Sequence, residues 1–214
     1  MKVLVVGANG QIGKLVCEKL SNNQEYAPIA MIRDEKQASF FKKLGVEMVL
    51  GNIEDSVDEI AEIVNGSDVI VFTAGSGGHT GYDKTLLVDL DGAVKTIEAA
   101  EKVGTKRFIM ISALQANNRE NWNQKILPYY VAKHYADKVL EQSNLNYTII
   151  RPGGLLNTEG TGKIAVNEHL QRSTIPREDV ASTIIACLHY ENTYQRSFDL
   201  ISGNTEIEEA IRTI

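Results

Sequence analysis

Cysteine is scarce in this chain. Cys17 and Cys187 lie far apart, each within an apolar helical pattern, in neither C-x-x-C nor metal-ligand spacing, so two buried free thiols are expected. Histidine offers no metal site either. His79, His134, His169 and His189 are scattered without a pair at zinc-ligand spacing, and no metal is expected. Positive charge is thin: 22 Lys and Arg against 28 Asp and Glu give a formal net charge of −6, with no basic run. That argues against a nucleic-acid partner, because binding a phosphate backbone depends on clustered Lys and Arg. No apolar run is long enough to span a bilayer, and Met1 leads directly into a strand-like run without a signal peptide. A cytoplasmic location, no membrane association and a small-molecule partner are therefore expected. Repeats, linkers and low-complexity segments are also missing. At 214 residues and 43% hydrophobic, the chain is expected to form one domain over 1–214.

What the chain does have begins at its start. Lys2-Val3-Leu4-Val5-Val6 runs straight into Gly7-Ala8-Asn9-Gly10-Gln11-Ile12-Gly13: a buried strand, a glycine turn and a helix. A helix N-terminus offers unpaired N–H groups and the positive end of a dipole to an anion such as a pyrophosphate. Gly7 suits the tight turn, Gly10 the close approach of the pyrophosphate and Gly13 the close packing of helix on sheet. Ile12, Leu15, Val16 and Leu20 supply the apolar stripe of that helix.

Further strand-like runs follow at Ala27 to Ile32, Val46 to Leu50, Asp68 to Thr73, Lys106 to Ser112, Asn146 to Arg151 and Ser197 to Ser202. Helical segments separate them, for example Asp83 to Val103, where Leu86, Leu87, Leu90, Val94, Ile97 and Ala100 recur on one face. The alternation predicts an α/β doubly wound domain of Rossmann type, with a mostly parallel sheet of about seven strands, right-handed crossovers and a ligand at the carboxyl ends of the strands. At the tip of the second strand stands Arg33, followed by Asp34. An arginine there pairs with a 2′-phosphate, whereas an acidic residue would accept from a free 2′-hydroxyl. NADP(H) is expected ahead of NAD(H), with Asp34 capping the next helix.

The chain resembles the short-chain dehydrogenase/reductase superfamily, in its small atypical branch of NAD(P)-binding NmrA-like and flavin-reductase-like proteins. The resemblance spans nearly the whole length. It is carried by Gly7 to Gly13, Arg33-Asp34, Gly51-Asn52-Ile53-Glu54-Asp55, Thr73-Ala74-Gly75, Asp89-Leu90-Asp91-Gly92-Ala93, Tyr129-Tyr130-Val131-Ala132-Lys133, Arg151-Pro152-Gly153 and Arg177-Glu178-Asp179-Val180-Ala181. It implies a cofactor site of Gly7, Asn9, Gly10, Gln11, Ile12, Gly13, Arg33, Asn52, Ile53, Ala74, Gly75, Lys133, Pro152 and Gly153. In that site Asn52 and Ile53 hold the adenine, Ala74 and Gly75 pass the ribose and pyrophosphate, and Pro152 and Gly153 lie against the nicotinamide.

Tyr129 and Lys133 satisfy the family's Y-x-x-x-K spacing, which puts both side chains on one face of a helix. An ammonium beside a phenol lowers the cost of the phenolate, so Tyr129 can donate or remove a proton while Lys133 also grips the nicotinamide ribose. Tyr130 is either core or an alternative acid. One departure matters. The Ser or Thr that binds a substrate carbonyl in typical members falls here at Leu114 or Ala113, with Ser112 as the nearest hydroxyl. Asp89 stands where extended members often carry asparagine, and is as well read as a buried structural residue.

Residues 155–174, with Trp122 as an apolar wall, are expected on the substrate side, and His79 in the segment 75–81 is a further candidate beside the nicotinamide. The short stretch after the sixth strand argues against an epimerase or dehydratase. The function expected is an NAD(P)H-dependent oxidoreductase passing hydride to a quinone, flavin or carbonyl. The alternative is a dinucleotide-binding redox sensor without turnover.

Overall fold

The computed structural model describes residues 1–78 and 80–214; the candidate His79 lies outside the described residues. Strand β1 (Lys2–Val6) is buried on both faces and alternates between two cores. Val3 and Val5 enter one cluster with Val16, Phe41 and Ile184, and Leu4 and Val6 enter the other with Ile60, Ile97 and Leu140. A period of two on a strand covered from both sides explains why the run reads as continuously apolar.

Helix α1 (Gln11–Ser21) leads to β2 (Ala27–Ile32), α2 (Ala38–Leu44), β3 (Glu47–Leu50), α3 (Val57–Val64) and β4 (Val69–Phe72). Helix α3 starts at a capping box, in which the Ser56 hydroxyl accepts from the Glu59 N–H and the Glu59 carboxylate accepts from the Ser56 N–H. The second half holds α4 (Tyr82–Lys84), α5 (Ala93–Val103), β5 (Arg107–Ile111), α6 (Leu127–Gln142) and β6 (Asn146–Pro152). It closes with β7 (Gly154–Leu156), β8 (Lys163–Asn167), β9 (Thr174–Pro176), α7 (Arg177–His189), β10 (Arg196–Ser202), β11 (Thr205–Glu206) and α8 (Ile207–Arg212).

The main sheet runs β11-β8-β10-β6-β5-β4-β1-β2-β3. From β10 to β3 every pairing is parallel. These are the strands the sequence predicts, in doubly wound order with the reversal between β1 and β4. The sheet is larger than the expected seven strands, because β8 adds antiparallel to β10 and β11 antiparallel to β8. The segment 155–174, expected as a loop, is built instead around β8 and the small β7–β9 pair. Among the described residues no helix is long and apolar enough to cross a membrane. Cys17 and Cys187 are free and buried, and burial pushes both thiols up to about 12, which keeps them inert.

The predicted helix at Asp83 to Val103 is interrupted. Between α4 and α5 the chain winds as a π-helix over Thr85–Gly92. Its i→i+5 bonding adds a residue to each turn and shifts the inward face. Thr85, Val88, Asp89 and Gly92 are buried, while Leu86 and Leu87, expected on the core face, are 52% and 42% exposed.

Candidate functional site

The carboxyl ends of β1, β2 and β4 surround a cavity of about 410 Å³. Gly7, Asn9, Gly10, Arg33, Ile53, Ala74 and Gly75 line it, together with Met31, Gly51, Ser76, Lys84 and others. The local chain is shaped for this approach. Gly7 adopts φ +83°, and a Cβ there would sit 2.6 Å from the Ala74 backbone, so only glycine permits this turn. A Cβ on Gly13 would strike the Gly7 carbonyl and lie 2.7 Å from the Ala8 Cα, which sets how closely α1 packs on the turn. Gly10 is different: its Cβ would meet only the Gly7 carbonyl, at 3.1 Å, so its missing side chain serves the space in front of the helix. Gly10 caps α1 without a side-chain hydrogen bond, and the first turn carries no acidic residue. The leading N–H groups of α1 are left for an anion. A cradle open at Gly10, on a helix with no cap of its own, fits the pyrophosphate of a dinucleotide.

At the tip of β2 the Arg33 side chain is exposed on the cavity rim and, among the described residues, has no hydrogen-bond or ion-pair partner, while its backbone N–H donates to Gln37. Asp34 turns away and accepts from the Lys36 N–H at 2.8 Å. Across the cavity Lys84 forms a forked ion pair with Glu54, at 2.7 and 3.0 Å. Asn52 does not line the cavity, and its Oδ1 accepts from the Glu54 N–H at 3.2 Å, shaping the turn that presents Ile53.

Several implied residues lie elsewhere. Ile12 is buried in the core. Gln11 lines a separate open groove with Lys14, Phe40 and Arg177. Pro152 ends β6 and Gly153 follows it; the Pro152 carbonyl accepts from the Leu114 N–H at 3.0 Å and the Gly153 N–H donates to the Leu200 carbonyl at 2.9 Å.

Beyond the cavity, helix α6 carries Tyr129, Lys133, Asp137 and Glu141 at four-residue spacing, hence on one face. Lys133 is 3% exposed and Asp89 1%. The Lys133 ammonium lies 3.4 Å from Asp89 Oδ1, donates to the Ile111 carbonyl at 3.2 Å and sits 5.8 Å from the Tyr129 ring centre. The other Asp89 oxygen accepts from the Ser76 N–H at 3.0 Å, so the π-helical run ties the cavity wall to the lysine. Arg151, also buried, donates to Asp137 at 2.8 Å and to Glu141 at 3.2 Å. Burial pushes the Asp137 carboxyl above its ordinary range, against the pull of Arg151, Ser112 and Lys133.

On this face the sequence analysis named Tyr129 and Lys133 but not Asp137, nor its partner Arg151. The available signal was the same spacing carried on to Asp137 and Glu141. Ala113 and Leu114 are apolar and buried, and Ser112 is buried beside Asp137. Trp122 is also largely buried, donating to the Ala116 carbonyl and stacking near Tyr130.

A family model described as NAD(P)H-binding matches residues 7–191. A Bacillus subtilis protein named as an uncharacterized sugar epimerase is 57% identical over the full length of both chains. Among solved structures, an oxidoreductase of Lactococcus lactis is 34% identical with a TM-score of 0.92, covering 100% of this chain and 96% of that one. An anaerobilin reductase of Escherichia coli O157:H7, at 24% identity and a TM-score of 0.81, covers 96% and 99% and shares the fold.

Proposed function

The chain belongs to the NAD(P)H-binding family, and from that premise we propose that it is an NADPH-dependent oxidoreductase of the atypical short-chain dehydrogenase/reductase branch, acting on a small organic acceptor. The observation that carries this reading is the junction of an open glycine cradle with a half-buried Tyr129 beside the buried Lys133–Asp89 pair, linked through the Ser76 N–H. Binding alone would need only the cradle. When bound, the reduced dinucleotide supplies hydride. Gly10 and the first turn of α1 would hold its pyrophosphate, Arg33 a 2′-phosphate, Ile53 the adenine face, and Ala74 and Gly75 the ribose side. With a carbonyl acceptor, Tyr129 would hold its oxygen and give it a proton.

The acceptor class follows from what the site lacks. No hydroxyl stands at Ala113 or Leu114 to polarise a carbonyl, so quinones and flavins, which take hydride with less help from an acid, suit it better than unactivated ketones. Its substrate-side stretch between β6 and α7 is short and partly returned to the sheet through β8, which supports a small acceptor over a nucleotide sugar. The same lack of a hydroxyl favours a second reading, a redox sensor whose output is binding. Steady-state NADPH consumption with a panel of quinones, flavins and aldehydes separates the two. Turnover with at least one acceptor supports the enzyme; tight NADPH binding with none supports the sensor.

A further inference from the structure

Lys133 has three donors, and one is committed to the Ile111 carbonyl while Asp89 stands 3.4 Å away. A carboxylate and an ammonium this close, both almost removed from water, feel each other at low dielectric. Seen from Tyr129, the Asp89 charge opposes that of Lys133. An asparagine at this place, as extended members often carry, would orient the lysine without cancelling it. We infer that Asp89 is a positioning residue that offsets the Lys133 charge at Tyr129, so that Tyr129 rests as a protonated phenol with its proton ready for the acceptor. This rests on the proposed oxidoreductase reading and sets the resting state of its acid.

The groups facing Tyr129 are Lys133, Tyr130 and Asp137 on its own helix and Asp89 on the π-helical run. Burial raises the phenol above its ordinary value; Lys133 opposes this, and Asp89, Tyr130 and Asp137 add to it. Burial pushes the Lys133 ammonium down, but Asp89, Tyr129 and Asp137 outweigh it and hold the lysine charged. Tyr129 is thus a phenol at neutral pH. As hydride brings two electrons from the reduced dinucleotide to the acceptor, the Tyr129 O–H bond breaks and a new bond forms from that proton to the acceptor heteroatom. The phenolate then regains a proton from water.

The test needs no cofactor. In the intact protein labelled with ζ-¹³C tyrosine, Tyr129→Phe assigns the Tyr129 resonance and a pH titration gives its midpoint. Asp89→Asn is expected to lower that midpoint by about one pH unit or more; an unmoved midpoint overturns the inference. Should Asp89→Asn not fold, the double variant Asp89→Asn/Lys133→Gln removes both charges. A midpoint near wild type then supports cancellation, and a rise of more than about a unit, showing that Lys133 had acted uncompensated, overturns it. A wild-type protein that titrates as expected but binds no NADPH by calorimetry would defeat the proposed function and leave the charge cancellation standing.

Discussion

Arg33 and Tyr129 carry the residue-scale claims, one for the cofactor and one for the chemistry. A guanidinium on the cavity rim without a partner among the described residues has its donors available for a 2′-phosphate, and a charge-assisted contact of this kind contributes roughly 1.5–3 kcal/mol. Arg33→Ala should therefore weaken NADPH binding by about 10- to 100-fold and leave NADH within about twofold, as read by calorimetry. Equal losses for both would mean that Arg33 does not see the 2′-phosphate. Tyr129→Phe should lower turnover on a carbonyl acceptor by the roughly 100-fold of a lost general acid and change a quinone or flavin reaction little, with NADPH affinity intact. At this scale the glycines of the cradle were legible, because a strand, a turn and a helix follow one another along contiguous sequence. The Asp89–Lys133 pair was not. Its partners come from different elements, and only the fold shows that they meet.

At the scale of elements, the seven parallel strands could be read because each holds an apolar run between helical segments, which in β1, β4 and β5 is buried on both faces. The antiparallel extension could not. Strand β8 (Lys163–Asn167) is short and only partly buried, lies among Gly, Thr and Asn, and gains its place by pairing with β10. The π-helical winding of Thr85–Gly92 was equally hidden, since its leucines fit a helical stripe whichever face turns inward.

Helix α6 and strand β6 are joined by the buried Asp137–Arg151 pair, whose side chains are 2% and 1% exposed. Removing Asp137 leaves the buried Arg151 with Glu141 alone, at 3.2 Å, so Asp137→Ala should cost about 3 kcal/mol in urea unfolding. The surface pair Lys102–Asp58 joins α5 to α3 at 2.6 Å with side chains 54% and 80% exposed, and Lys102→Ala should cost under about 1 kcal/mol. Similar losses from the two variants would refute the structural weight given to the buried pair.

For the whole molecule, the sheet with helices on both faces delivers the ends of β1, β2 and β4 to one cavity, whose wall is tied to Lys133 of α6 through Ser76 and Asp89. A ligand bound there stabilises only the folded state. At 100 times its Kd, NADPH should add about 2.7 kcal/mol, which for a chain of this length raises Tm by roughly 5–10 °C. The central claim is that the cradle at Gly10 holds the dinucleotide. Its most direct test is calorimetric titration of NADPH into wild type and Gly10→Val, with circular dichroism confirming that both are folded. The expected result is saturable one-to-one binding by wild type and none by the folded variant. Undiminished affinity in folded Gly10→Val would contradict the account.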